Sequence, residues 1–222
     1  MLYRILTNET AKTVKGLNYG YQGAMLFLRP SRSLCPFAGK CLNVCLNTAG
    51  RGRFEKAQAA RQRKADYFLS NPAGFVSSVC HDVEALLRLA TRKAMVPCLR
   101  LNGTSDVAWE KYGIMERFAS LQMYDYTKNP FRYDSFLKGN FPKNYHLTFS
   151  RTEANESVCL DFLRRNGNVA VVFDKVPSTW KGFNVISGDD HDLRFLDPKG
   201  VVVGLKAKGP AKKDTSGFVV RG

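Results

Sequence analysis

Three cysteines fall within eleven residues, in the run Cys35-Pro-Phe-Ala-Gly-Lys-Cys41-Leu-Asn-Val-Cys45. Thiolates are soft ligands for zinc and for iron–sulfur clusters, and three on one acid-free loop read as a clamp for a metal or a cluster. The remaining cysteines, Cys80, Cys98 and Cys159, are scattered among apolar residues and read as small core side chains. A second candidate is the run Asp189-Asp-His191-Asp192, with Arg194 and Asp197 close behind. It could bind a divalent cation or hold a general base, and it reads equally as ordinary Asp-rich turn chemistry. No His-Glu-x-x-His helix, phosphate-binding Gly-Lys-Ser/Thr loop or Ser-His-Asp order is present.

The elements that must position these residues alternate along the chain. Ala24–Leu28 reads as a buried strand directly before the cysteine loop. A polar helix follows from about Phe54 to Leu69, halted by Ser70-Asn-Pro-Ala-Gly74. Next comes a helix with Val76, Val79, Val83, Leu86, Leu87 and Ala90 on one stripe, which also carries Cys80. Short apolar runs at 97–101, 121–124, 146–149, 169–173, 183–186 and 201–205 each end in polar residues. Between the third and fourth of these runs, a helix capped by Ser150 or Thr152 carries Val158, Cys159, Phe162 and Leu163 inward and ends near Gly167.

About seven strands with interspersed helices predict a single α/β domain over 1–222, built as a partial or irregular (β/α) barrel. A doubly wound sheet is disfavoured because no Gly-x-Gly-x-x-Gly follows the first strand. The short late connections predict irregularity after Val169, and 209–222 reads as a mobile basic tail. In such folds the polar strand ends gather at one mouth. That rule nominates Tyr124, Asp125, Lys128, Ser150, Arg151, Asp174, Lys175, Asp189 and His191 as residues lining a substrate site.

Lys and Arg outnumber Asp and Glu by 34 to 19, giving a net charge of +15 over 222 residues. The excess favours a nucleic-acid or other polyanionic partner over an acidic-surface one, although a basic face can also be merely solubilising. No run of eighteen apolar residues occurs, and Met1-Leu-Tyr-Arg-Ile-Leu6 is broken too soon for a leader peptide. A cytoplasmic chain with unpaired cysteines is therefore expected.

A three-cysteine loop after the first strand of a (β/α) barrel resembles the radical S-adenosylmethionine superfamily. That resemblance implies a [4Fe–4S] cluster on Cys35, Cys41 and Cys45, with one iron left open for S-adenosylmethionine. The spacing departs from the usual pattern: five and then three residues intervene here, where three and then two are usual. The segment Asn102-Gly103-Thr104-Ser105-Asp106, ending the second clear strand, is similar in placement to the strand end that contacts the cofactor's amino group. It also suits a plain strand-to-helix turn. Much of the chain, including Gly50-Arg-Gly-Arg53 and Gly188–Leu205, also resembles a family of bacteriophage proteins known as numbered gene products, which implies the host cytoplasm as its location.

Two functions follow as expectations. One is a radical-type iron–sulfur enzyme acting on a nucleotide or nucleic acid. The other is a basic nucleic-acid-binding phage protein in which zinc or a cluster is only a structural staple. Reduced cysteines without metal are a third reading.

Overall fold

In the computed structural model, residues 4–222 are described; residues 1–3, which open the segment read above for a leader, lie outside them. Helix α1 (Ala11–Leu17) is followed by β1 (Tyr21–Met25), the cysteine loop, α2 (Glu55–Ser70) and α3 (Pro72–Arg92). Then come β2 (Val96–Arg100), α4 (Ile114–Arg117), β3 (Gln122–Thr127), α5 (Pro130–Leu137), β4 (Tyr145–Ser150), α6 (Glu156–Arg164) and β5 (Val169–Phe173). The chain ends with β6 (Thr179–Trp180), β7 (Phe183–Ser187) and β8 (Val202–Lys206).

The strand order is β1-β2-β3-β4-β5-β8-β7-β6, with every pairing parallel except the β6–β7 hairpin. Each of the first five strands lies beside its successor, the progressive winding of a (β/α) barrel, with no reversal of the kind a doubly wound sheet has. The sheet stays open, since β1 and β6 stand at opposite edges. The expected irregularity after Val169 is the hairpin, which turns through Lys181 and Gly182, both at positive φ (51° and 86°). It displaces β8 to the position next to β5.

Local chemistry accounts for the helices. Asn71 caps α3 by accepting the Gly74 N–H at 2.9 Å, and Pro72 sits in its first turn, where a missing N–H costs nothing. The break between α2 and α3 is therefore Asn71 alone, narrower than the 70–74 stop read from the sequence. Val79, Cys80, Val83, Leu86 and Ala90 of α3 are buried as the periodicity predicts, Val76 and Leu87 are only half-buried, and Phe75 joins the buried face. Helix α6 begins after Asn155, while Thr152 is itself held by the Asn155 side chain at 2.7 Å. Its left-handed exit residue is Asn166 (φ 61°), not Gly167, because Asn tolerates that conformation through its short polar side chain.

Strand parity divides the molecule into layers. Ala24, Leu99, Met123, Leu147 and Val171 pack into the main core with α2, α3, α5 and α6. The alternate residues face α1 and the turn at Arg194–Leu196, where Cys98, Tyr124 and Leu193 form a smaller cluster. The 209–222 segment lies against the cysteine loop: Ala211, Phe218 and Val219 are buried with Cys41 and Val44, and Val220 bridges to Phe173.

Candidate functional site at the strand ends

The cysteine loop crosses the C-terminal ends of β1 and β2 and is tied down along its length. Cys35 N–H donates to the Ser31 carbonyl at 2.8 Å, and Cys41 N–H to the Ala38 carbonyl at 3.0 Å. Lys40 N–H donates to Glu153 at 3.0 Å, fastening the loop to the β4–α6 connection. Beyond Cys45, Asn47 is gripped from α2 by Arg61, which donates at 2.7 Å to both its main-chain and side-chain oxygens. That grip aims the Asn47 N–H at the Cys45 sulfur, 3.4 Å away.

Cys35, Cys41 and Cys45 all line one cleft of about 170 Å³ that opens to solvent, and residues 102–106, Lys128, Ser150, Arg151 and Asp189 line it too. The sequence therefore brings its cysteine loop, its β2 turn and four of its substrate-site candidates, Lys128, Ser150, Arg151 and Asp189, to a single place. Five candidates lie elsewhere. Tyr124 is buried against Phe195, ring centroids 5.3 Å apart, deeper than the cleft. Asp125 points to the opposite face of the sheet and is fully buried. Asp174 accepts from the N–H groups of Lys175 and Gly222, at the outer end of β5. Lys175 is exposed beside it. His191 packs edge-on against Tyr19 at 4.7 Å, and its Nδ1 accepts the Leu193 N–H.

The β2 turn is mostly spent on itself. Asn102 Oδ1 accepts from Ser105 Oγ, Val107 N–H and Trp109 Nε1, and its Nδ2 donates to the Val107 carbonyl and to Asp125. Thr104 Oγ1 donates to the Leu28 carbonyl at 2.6 Å. Gly103 is needed for packing: a Cβ there would meet the Leu26 carbonyl at 2.5 Å and the Phe27 ring at 2.7 Å. The Asp106 carboxylate is engaged by Arg132 at 3.2 Å and by the Lys128 N–H at 2.8 Å, so it anchors Lys128 rather than offering itself to an ammonium.

The acidic run at 189–192 is likewise consumed by cations. Asp189 pairs with Lys208 and accepts the Lys206 N–H at 3.2 Å, and Asp192 accepts from Lys12 and Arg100, each at 2.7 Å. Among the described residues, no group of three His, Cys, Asp or Glu side chains is drawn together closely enough to hold a metal ion.

Burial pushes the Cys35 thiol up to about 12, with Lys128 pulling the other way. The Cys45 thiol is also raised by burial, against the Asn47 N–H bond. Burial opposes the Lys128 charge, yet Cys41, Asp106, Cys35 and Cys45 around it hold its pKa above the ordinary lysine value. The three thiols are ligands of the right chemical kind for an iron–sulfur cluster and line one cleft, with an N–H aimed at one sulfur, but they are not drawn together as a ligand set. Lys12, Arg100, Tyr126, Lys206 and Lys208 complete the lining and were not among the sequence candidates. Strand alternation pairs Arg100 with Cys98 and Tyr126 with Lys128 but does not say which face borders the cleft, so the sequence alone does not single them out.

No helix among the described residues is long and apolar enough to cross a membrane. Comparison with curated proteins and with solved structures gives no match. Over residues 4–222 the chain matches Gene product 88, and it belongs to that phage gene-product family.

Proposed function

We propose that this protein is an iron–sulfur enzyme in which Cys35, Cys41 and Cys45 hold a [4Fe–4S] cluster. S-adenosylmethionine would lie against Asn102–Asp106, and the substrate is a nucleotide or nucleic acid. The observation that supports this reading is that three thiols from one loop line the same cleft as the β2 turn, without being gathered into a preformed ligand set. When bound, a cluster with one open iron supplies a single electron to a sulfonium held in contact with it.

The chain's own residues have definable tasks. Asn47 donates an N–H to the Cys45 sulfur, and Arg61 holds Asn47 in place for it. Lys128, anchored through its main chain to Asp106, places an ammonium among the thiols and favours their anionic form. The side chains of the β2 turn being engaged, its main-chain groups are what it can offer a zwitterionic cofactor. A four-ligand zinc staple is the weaker alternative. Cys80, Cys98 and Cys159 are buried in the core, and neither they nor any histidine lines the cleft.

Purification without oxygen followed by iron, sulfide and zinc assay tests the reading. About four irons and four sulfides per chain are expected, with iron lost in Cys41→Ser and kept in Cys80→Ala. Release of 5′-deoxyadenosine from S-adenosylmethionine under strong reductant then separates catalysis from cluster storage. Stoichiometric zinc without sulfide, or a metal-free chain, refutes the proposal.

A further inference from the structure

The cleft has a polar floor that the thiols do not touch. Lys12 and Arg100 share Asp192, and the Arg100 guanidinium lies 4.4 Å over the Tyr126 ring. One carboxylate thus serves two cations, leaving a net positive charge. Arg100 is only 6% exposed, and its Nε is buried with no hydrogen-bond partner; the Tyr126 hydroxyl is in the same condition. Arg151 at the end of β4 repeats the pattern, with Nη1 on the Gly217 and Phe218 carbonyls and a buried, unpartnered Nε.

A buried donor without an acceptor costs about 1–3 kcal/mol, so three of them lining one cleft mark a place where acceptors come from outside the chain. Lys206 adds charge to the lining, Lys208 offsets Asp189 there, and Val172, Leu205 and Phe218 supply apolar wall. The complement of this surface is a compact anion with several acceptor oxygens, attached to an apolar or aromatic body. A phosphate within a duplex cannot reach a buried floor, because duplex phosphates run along its outside; an end group can.

We propose that the floor formed by Lys12, Arg100 and Tyr126 binds the terminal phosphate of a nucleotide, with the nucleoside against Val172 and Leu205. This names the substrate end of the site proposed above, and it uses no thiol, so the two readings fail separately. Binding of adenosine 5′-monophosphate, adenosine and inorganic phosphate is measured by calorimetry at low salt, on the wild-type chain and on Cys41→Ser. The monophosphate should bind about tenfold or more tighter than adenosine, in both proteins. Tyr126→Phe should weaken it about three- to tenfold with a melting temperature equal to or above the wild-type value, and the exposed pair Lys206→Ala/Lys208→Ala by a similar factor.

A 5′-phosphorylated trinucleotide compared with its 5′-hydroxyl form distinguishes a strand end from a free nucleotide. Preference for the phosphorylated strand over the mononucleotide assigns the floor to strand ends, and the reverse assigns it to free nucleotides. Equal binding of adenosine and its monophosphate, no binding of the monophosphate, or wild-type affinity in both variants overturns the proposal, whatever the iron content.

Discussion

Replacing Asp125 by Asn should flatten a pH dependence that the wild-type fold carries. Asp125 is fully buried and accepts from Asn102 N–H at 2.6 Å, Asn102 Nδ2 at 3.2 Å and the Tyr145 hydroxyl at 2.7 Å. Burial nevertheless raises its pKa to about 7, with Arg100, Arg132 and those hydrogen bonds pulling down. In the unfolded chain it titrates near about 3.9. Between those values the folded state binds more protons than the unfolded state, so stability falls as pH rises from about 4 to about 7 and levels off above. A shift of this size is worth about 3–4 kcal/mol at 1.36 kcal/mol per unit.

In Asp125→Asn the carboxamide oxygen can still accept the Asn102 N–H, but the Tyr145 hydroxyl loses its acceptor and the Asn102 Nδ2 keeps only the Val107 carbonyl, a pH-independent cost of about 1–3 kcal/mol. The signature is therefore in the difference between the two proteins. Urea midpoints measured from pH 4.5 to pH 8 should converge or cross as pH rises, the gap changing by about 1.5–2 M for a slope near 2 kcal/mol/M. Taking the difference cancels titrations common to both chains. Parallel midpoint curves would refute the assignment of a destabilising buried charge to Asp125.

Asp192→Asn should remove the shared partner of Lys12 and Arg100 and cost about 3–5 kcal/mol at neutral pH, read as a fall of roughly 8–15 °C in melting temperature. Burial resists the Asp192 charge, but Arg100 and Lys12 hold its pKa below the usual carboxylate range. Its stabilisation is therefore present above about pH 4 and lost on acidification, so the variant and wild type should approach one another at low pH. Gly103→Ala should lower the melting temperature by about 3–10 °C, because its Cβ meets main chain at the end of β1 rather than a flexible side chain. The same variant should not regain stability with any ligand if packing, and not ligand approach, is why glycine stands there.

The sequence made legible what depends on order along the chain. The cysteine loop follows β1, the Asn102–Asp106 turn follows β2 and Lys128 follows β3, so parallel neighbours bring them to one mouth without knowledge of any side-chain contact. It concealed what depends on parity. One residue separates Asp125, sealed on the helix side, from Tyr126 on the cleft floor, and an apolar run with polar ends does not say which alternate residue faces which layer. Lys12 escaped for another reason. It lies on α1 ahead of the first strand, and only the packing of α1 across β1 carries it to the cleft. The 189–192 acids invited a metal reading because their cationic partners, Lys12, Arg100 and Lys208, are remote in sequence.

These placements explain how a cleft can present positive charge beside three thiols without the mouth falling apart. Behind the cleft runs a continuous polar chain: Asn102 to Asp125, Asp125 to the Tyr145 hydroxyl, Tyr145 to Arg132, and Arg132 to Asp106 and Glu110. Asp106 then fixes the main chain of Lys128. Three neighbouring strands, β2, β3 and β4, are thereby locked to one another through acids that face away from the cleft or are already spent. The acids are held by hydrogen bonds and ion pairs, Asp125 behind the cleft and Asp106 and Asp189 within its lining, and Lys12, Arg100 and Lys128 place cations beside them. The net charge of the chain is thus expressed where it has a consequence, at the strand ends, and not only on a solvated surface.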